Sequence, residues 1–369
     1  MSGSSLDGLD IAVCRFVVDP DDENLITDWE IVAAETDPYP PVWKARLRSA
    51  PTLPGRELWR LHSDLGRWIG RRSRRFLAKH PEVKPTLVGS HGHTVFHDPA
   101  AGFTTQIGDG ALIATALRLP TVTQLRSADV ASGGQGAPLA PLADKYLFRD
   151  YDAFLNLGGI ANLSVRRADG NFVAGDISGC CQVLDRLAAR EGMPYDDGGN
   201  LAQQGTLHPA TAQKISKLPY HSKPYPKSLD NGWVRDELWP VIVDSELNTP
   251  NALRTFTVWL AEKIARDLEQ VTGADAGAKD VEKRSVLVTG GGAANTFLLR
   301  MLKATQADRA NGFEFVVPRP KVADFKEAAL VALCALLRRD ERPNALASAT
   351  GAREDTVNGA VFLPGAREA

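Results

Sequence analysis

Three glycine-rich turns in this sequence carry the residue types that bind phosphate. They are Ser2-Gly3-Ser4-Ser5-Leu6-Asp7-Gly8, Asn156-Leu157-Gly158-Gly159-Ile160-Ala161-Asn162 and Thr289-Gly290-Gly291-Gly292-Ala293-Ala294-Asn295. Glycine lets a backbone approach an anion and aim several N–H groups at it, and neighbouring hydroxyls add donors. One such turn alone is more often a hairpin or cap, but three with Ser, Thr and Asn flanks point to a phosphate cradle. None matches GxxxxGKS/T or GxGxxG, so neither a P-loop nor a dinucleotide fold is indicated.

The acids and bases come next. Asp7, inside the first turn, offers the hard oxygen that Mg²⁺ requires, with an Asx turn or cap as the plain alternative. Asp176 follows a strand pair and is a candidate base beside a γ-phosphate; because it also precedes Ser178, Gly179 and a helix, capping competes. Arg126 and Asp129 flank a loop able to clamp a carboxylate and hydroxyls, and Glu327 starts the last helix; surface ion pairs explain such residues equally well. His91 and His93, with His97 nearby, have strand spacing and no fourth ligand cluster, so hydrogen bonding near a substrate is favoured over metal binding. No GxSxG elbow supports a nucleophilic serine.

Alternating strands and helices position these groups. Asp10–Val18 and Trp29–Glu35 read as a hairpin around the turn at 19–22. Leu58, Leu61, Leu65, Trp68 and Ile69 mark one face of a helix over 57–80, ended by Pro81. Extended stretches are expected at 86–90, 103–107 and 121–125, with a helix at 111–118. The second half opens with a strand at 153–157 and a strand pair around the turn 168–170. Helices follow near 182–190 and 208–218, then a long one carrying Leu253, Phe256, Leu260, Ile264 and Leu268. A buried strand at 285–289 and helices at 293–307 and 326–338 complete a mixed α/β pattern. Gly133-Gly134-Gln135-Gly136-Ala137-Pro138 places a boundary near 135–150, giving an N-terminal lobe over 1–140 and a C-terminal lobe over 141–369.

The 369 residues suit two domains, and 43% hydrophobic with 24% charged residues describes an ordinary buried-core protein. A net charge of -2 gives no field for nucleic acid, and the run Arg71-Arg72-Ser73-Arg74-Arg75 reads as a solvated helix face. Four cysteines without CxxC spacing fit reduced thiols in a cytoplasm. Neither a signal segment nor a membrane span is expected.

The ordered blocks MSGSSLDGLD, GSHGHTVFHDP (89–99), TQIGDGALIA (105–114), RSADVASGGQGAPLAPLADK (126–145), LNLGGIANLS (155–164), PKSL (226–229), TGGGAANTFLL (289–299), DFKEA (324–328) and TGA (350–352) resemble, almost end to end, the anhydro-N-acetylmuramic acid kinases. That family is a branch of the actin, sugar-kinase and Hsp70 ATPase superfamily. The resemblance implies a two-lobed, ribonuclease H-like fold with ATP and Mg²⁺ in a central cleft. It puts residues 3–10 (Gly3, Ser4, Ser5, Leu6, Asp7, Gly8, Leu9, Asp10) and Gly158-Gly159 around the phosphates. Gly290, Gly291, Gly292 and Asn295 would lie near the adenosine. It implies Asp176 as the base that activates water, Glu327 as a catalytic partner, and Arg126, Asp129 and His91 at an anhydro-sugar. The family suggests a homodimer, and its first loop follows a short strand, so a strand ahead of Met1 would anchor that loop. A kinase for another sugar, or a binding protein without catalysis, are the competing readings.

Overall fold

The computed structural model describes residues 1–2, 6–19, 21, 26–167, 172–229, 231–273, 283–307 and 312–365. The protein is mixed α/β. Its first six strands are β1 (Gly8–Val18), β2 (Ile26–Pro38), β3 (Val88–Gly89), β4 (His93–Asp98), β5 (Phe103–Ile107) and β6 (Thr121–Thr123). Then come β7 (Ala153–Leu157), β8 (Ile160–Arg166), β9 (Phe172–Gly179), β10 (Arg284–Thr289), β11 (Phe313–Val316) and β12 (Ala360–Phe362).

Two compact units divide the chain: Met1–Arg149 with Pro320–Ala369, and Asp150–Arg319. The leading segment of the first unit ends at Arg149, and the expected C-terminal lobe over 141–369 needs correcting. Residues beyond 319 return to the first unit because β12 pairs antiparallel with β6, Val361 opposite Val122. Helix Pro320–Arg339 also packs there: a Cβ on Gly89 would meet the Val331 carbonyl at 2.4 Å. This helix begins at Pro320, before the expected Lys326, so Glu327 lies two turns inside it rather than at its start.

The Asp150–Arg319 unit holds a five-stranded sheet ordered β11-β10-β7-β8-β9. The strands β7, β8 and β9 form an antiparallel meander, while β10 runs parallel to both β7 and β11. Numbered within the unit, the order is 3-2-1-4-5, the ribonuclease H-like arrangement. The interior strand β10 is buried over Val286–Thr289, as a parallel strand covered on both faces must be. Helix Thr249–Thr272 buries Leu253, Phe256, Trp259, Leu260, Ile264 and Leu268 in one core with Leu155, Leu163, Ile177 and Val288. The turn over 168–170 lies outside the described residues.

In the first unit the β1–β2 hairpin is a separate sheet from β12-β6-β3, and β4 pairs with β5. Helix Gly55–Lys79 buries Leu58, Leu61, Leu65, Trp68, Ile69 and Phe76. Arg71, Arg74 and Arg75 on it are exposed, and Arg72 pairs with Asp37 at 3.3 Å, as a solvated face would have it. A cavity of about 590 Å³ is lined by β1, by Pro85–Ser90 including β3, by Met1, and by Val331 and Ala335 of helix Pro320–Arg339.

Candidate phosphate-transfer site

Backbone pairing closes the first glycine turn. The Met1 amine donates to the Asp10 carbonyl at 2.7 Å, the Asp10 N–H returns to the Met1 carbonyl at 2.9 Å, and Ser2 bridges Leu9. Tyr39 Oη donates to Ser2 Oγ at 2.8 Å. Gly3, Ser4 and Ser5 lie outside the described residues. Leu6 is buried at φ 59. Gly8 is obligatory, since a Cβ would meet the Asp37 carbonyl at 2.7 Å, and Leu9 belongs to the core. Asp10 Oδ1 accepts from Thr36 Oγ1 at 2.6 Å. The exposed Asp7 carboxylate has no hydrogen-bond partner among the described residues. No group of three His, Cys, Asp or Glu side chains suited to a metal occurs among them either. A single free carboxylate suits Mg²⁺, whose remaining ligands are usually water and phosphate oxygens.

His91, Arg126 and Glu327 come together in this same unit. Arg126 Nε donates to His91 Nε2 at 3.0 Å, so the imidazole is neutral with its proton on Nδ1, 3.2 Å from the Gly92 carbonyl. Burial, and then the Arg126 charge, lower the His91 pKa to about 4. Burial also lowers that of Arg126, while the Glu327 charge opposes the shift. The two Nη groups of Arg126 have no hydrogen-bond partner among the described residues, which leaves the guanidinium fork open to an anion.

Asp129 serves differently from expectation. It is fully buried, and its carboxylate accepts from Thr350 Oγ1 (2.7 Å) and the Gly136 N–H (2.7 Å). Its own N–H donates to Asn358 Oδ1 at 3.0 Å. With both oxygens engaged by the chain, Asp129 fixes the 126–136 loop instead of facing a ligand.

In the other unit the second and third glycine turns meet. Parallel pairing aligns Thr289 with Asn156. The glycines then divide their work. A Cβ on Gly290 (φ +85) or Gly292 would strike Leu157 at 2.7 or 2.8 Å, so these two permit the strand ends to pack. A Cβ on Gly291 would meet nothing within 4 Å, and on Gly159 only Gln182 Cβ at 4.0 Å. Gly158 is tighter, a Cβ there meeting Asn156 Nδ2 at 3.1 Å and the Ile160 carbonyl at 3.5 Å. The open glycines are the ones whose backbone a phosphate can approach. Asn295 is a helix cap, its Oδ1 accepting from the Leu298 N–H at 2.9 Å.

Asp176 lies opposite Asn162, where the β8–β9 register shifts. It is no helix cap: helix Cys181–Ala188 is preceded by Cys180 without a side-chain cap. Instead Asp176 Oδ2 accepts from the Leu229 N–H at 2.9 Å, and Oδ1 has no partner among the described residues. Its N–H donates to the Lys227 carbonyl (2.9 Å), and its carbonyl accepts from Tyr220 Oη (2.8 Å). Burial raises its pKa, against the opposing pull of the Leu229 N–H and the Lys227 charge. One oxygen anchored and one free, with raised basicity, is the geometry of a general base. Nothing in sequence spacing marked Tyr220 or Leu229, which reach Asp176 from a segment more than forty residues away.

The anhydro-N-acetylmuramic acid kinase family matches over residues 1–364. The chain belongs to that family. It is 33% identical to the anhydro-N-acetylmuramic acid kinase of Azorhizobium caulinodans, covering 99% of this chain and 98% of that one. It is 31% identical to that of Methylorubrum extorquens, with the same coverage, and 32% identical to that of Gloeobacter violaceus over 95% and 94%. Among the described residues no helix is long and apolar enough to cross a membrane.

Proposed function

We propose that this protein uses ATP to convert 1,6-anhydro-N-acetylmuramic acid into N-acetylmuramic acid 6-phosphate, a step of cell-wall recycling. Family membership over residues 1–364 supports the substrate pair, and the half-anchored Asp176 carboxylate carries the chemistry. Asp176 takes a proton from water, the water oxygen bonds to the anomeric carbon, and the bond from that carbon to the 6-oxygen breaks. The freed 6-oxygen attacks the γ-phosphorus and ADP leaves, so one base serves both bond changes. The open backbone at Gly159 and Gly291, beside Gly158, receives phosphate. Asp7 would hold Mg²⁺, which offsets phosphate charge when bound. The free fork of Arg126, steadied by His91, takes the acceptor's lactyl carboxylate.

Running the reaction in ¹⁸O-water tests this. Label is expected on the anomeric carbon at early times and none in the phosphate, with Asp176→Asn slowing turnover by roughly 10²–10⁴. Phosphorylated sugar without anomeric label would exclude the coupled mechanism.

A further inference from the structure

Behind Asp176 lies a buried cluster that the reaction above does not use. Lys227 is 9% exposed, and its Nζ makes no hydrogen bond among the described residues. It stands 3.8 Å from Asp267 Oδ2 and over the rings of Tyr225 and Tyr220, at 4.6 and 5.1 Å from their centroids. Asp267 is already satisfied: Lys263 Nζ holds Oδ1 closely and Tyr225 Oη donates to Oδ2 at 2.8 Å. Two buried ammonium groups therefore share one carboxylate. For the fold alone the second is a cost, because burying a charge without full pairing is unfavourable. Its main chain explains where it is held: Lys227 bridges Gly175, and its carbonyl receives the Asp176 N–H.

We propose that Lys227 is a positioning residue for the Asp176 base, its buried ammonium supplying the positive field that keeps the carboxylate ionised in a desolvated site. The charged and titratable groups around the pair are Tyr220, Tyr225, Lys263, Asp267 and His221. His221 is neutral, burial lowering its pKa to about 4, and it accepts from Ser178 Oγ at 3.2 Å. Tyr220 and Tyr225 are pushed above their ordinary values by burial. The carboxylate of Asp267 faces Lys263 directly, so Lys227 is the cation left to act on Asp176. Burial lowers the Lys227 pKa to about 8, which leaves it charged at neutral pH.

This inference rests on reading Asp176 as the base, so the experiment separates the two. In the full chain, ¹³C-carboxyl resonances of aspartate are titrated, Asp176 being assigned by its loss in Asp176→Asn. Lys227→Met is expected to fold, since Asp267 keeps Lys263 and Tyr225, and to move the Asp176 midpoint to higher pH. Lys227→Gln serves the same purpose should methionine disturb packing, and Lys227→Arg, which keeps a cation, should return the midpoint toward wild type. Turnover of Lys227→Met at neutral pH should fall about tenfold and recover as pH rises. An unmoved Asp176 midpoint in the folded Lys227→Met or Lys227→Gln protein overturns the proposal. Absence of sugar phosphorylation by the wild type would instead overturn the function, and the titration would still decide the role of Lys227.

Discussion

Asp129 and Asp176 are both short acids near a turn, yet the fold gives them opposite work. Sequence could locate each but could not assign it, because the deciding partners are remote: Thr350 and Asn358 for Asp129, Leu229 and Tyr220 for Asp176. The glycine turns could be located beside strands, but which glycines pack and which face open space depends on the β7–β10 register. That division makes a prediction. Gly159→Ala, at a negative φ with room for a methyl, should leave stability within about 1 kcal/mol and weaken ATP binding severalfold. Gly290→Ala, at φ +85 against Leu157, should cost more than about 1 kcal/mol. Thermal melts and nucleotide calorimetry on both variants check this; equal losses of stability would refute the assignment.

Long periodic elements were readable, and so were most of the short strands. The helix over 55–79 and the first hairpin match expectation because each repeats its signal over many residues. The strands β11 and β12 passed unread and β4 was marked only by the strand spacing of its histidines, as three to six residues carry little periodicity and gain their partners only from the tertiary fold. Among the described residues the far edge of β1 meets only Met1 and Ser2, and β3 pairs only with β6. Both edges line the 590 Å³ cavity, as does Met1, whose buried amine has its pKa lowered to about 6 by desolvation. An extended apolar segment joined ahead of Met1 would satisfy those edges and replace a buried ammonium with a peptide N–H. Fusing a short β-branched segment there should raise Tm by roughly 3 °C or more. A Tm equal to that of the present chain would count against this filling of the cavity.

For the molecule as a whole, each unit contains one buried neutral histidine whose pKa is lowered to about 4, His91 in one and His221 in the other. The unfolded chain takes up these protons near pH 6.5 and the folded one does not until near 4. Between those limits the unfolded state binds more protons, so stability present above pH 6.5 is lost as pH falls, by up to about 3 kcal/mol for each histidine. Calorimetry should show Tm falling from pH 6.5 to 5, and less steeply in His91→Gln. A flat Tm across that interval in the wild type would refute the account.

The return of residues beyond 319 to the first unit makes Asp150–Arg319 an insertion in the other unit's chain. Stop codons and expression boundaries therefore act where linear position would not suggest. A truncation at 319 removes helix Pro320–Arg339 and β12, and so takes one of the two partners of β6 and the Thr350 that holds the 126–136 loop while leaving the five-stranded sheet untouched. Residues 150–319 produced alone should melt cooperatively, whereas 1–149 alone should not, and circular dichroism on the two fragments distinguishes them. Ribosome timing follows from the same connectivity: the inserted unit can finish folding during synthesis, but the unit holding Arg126 and Asp7 must wait for residues 320–369 to be made.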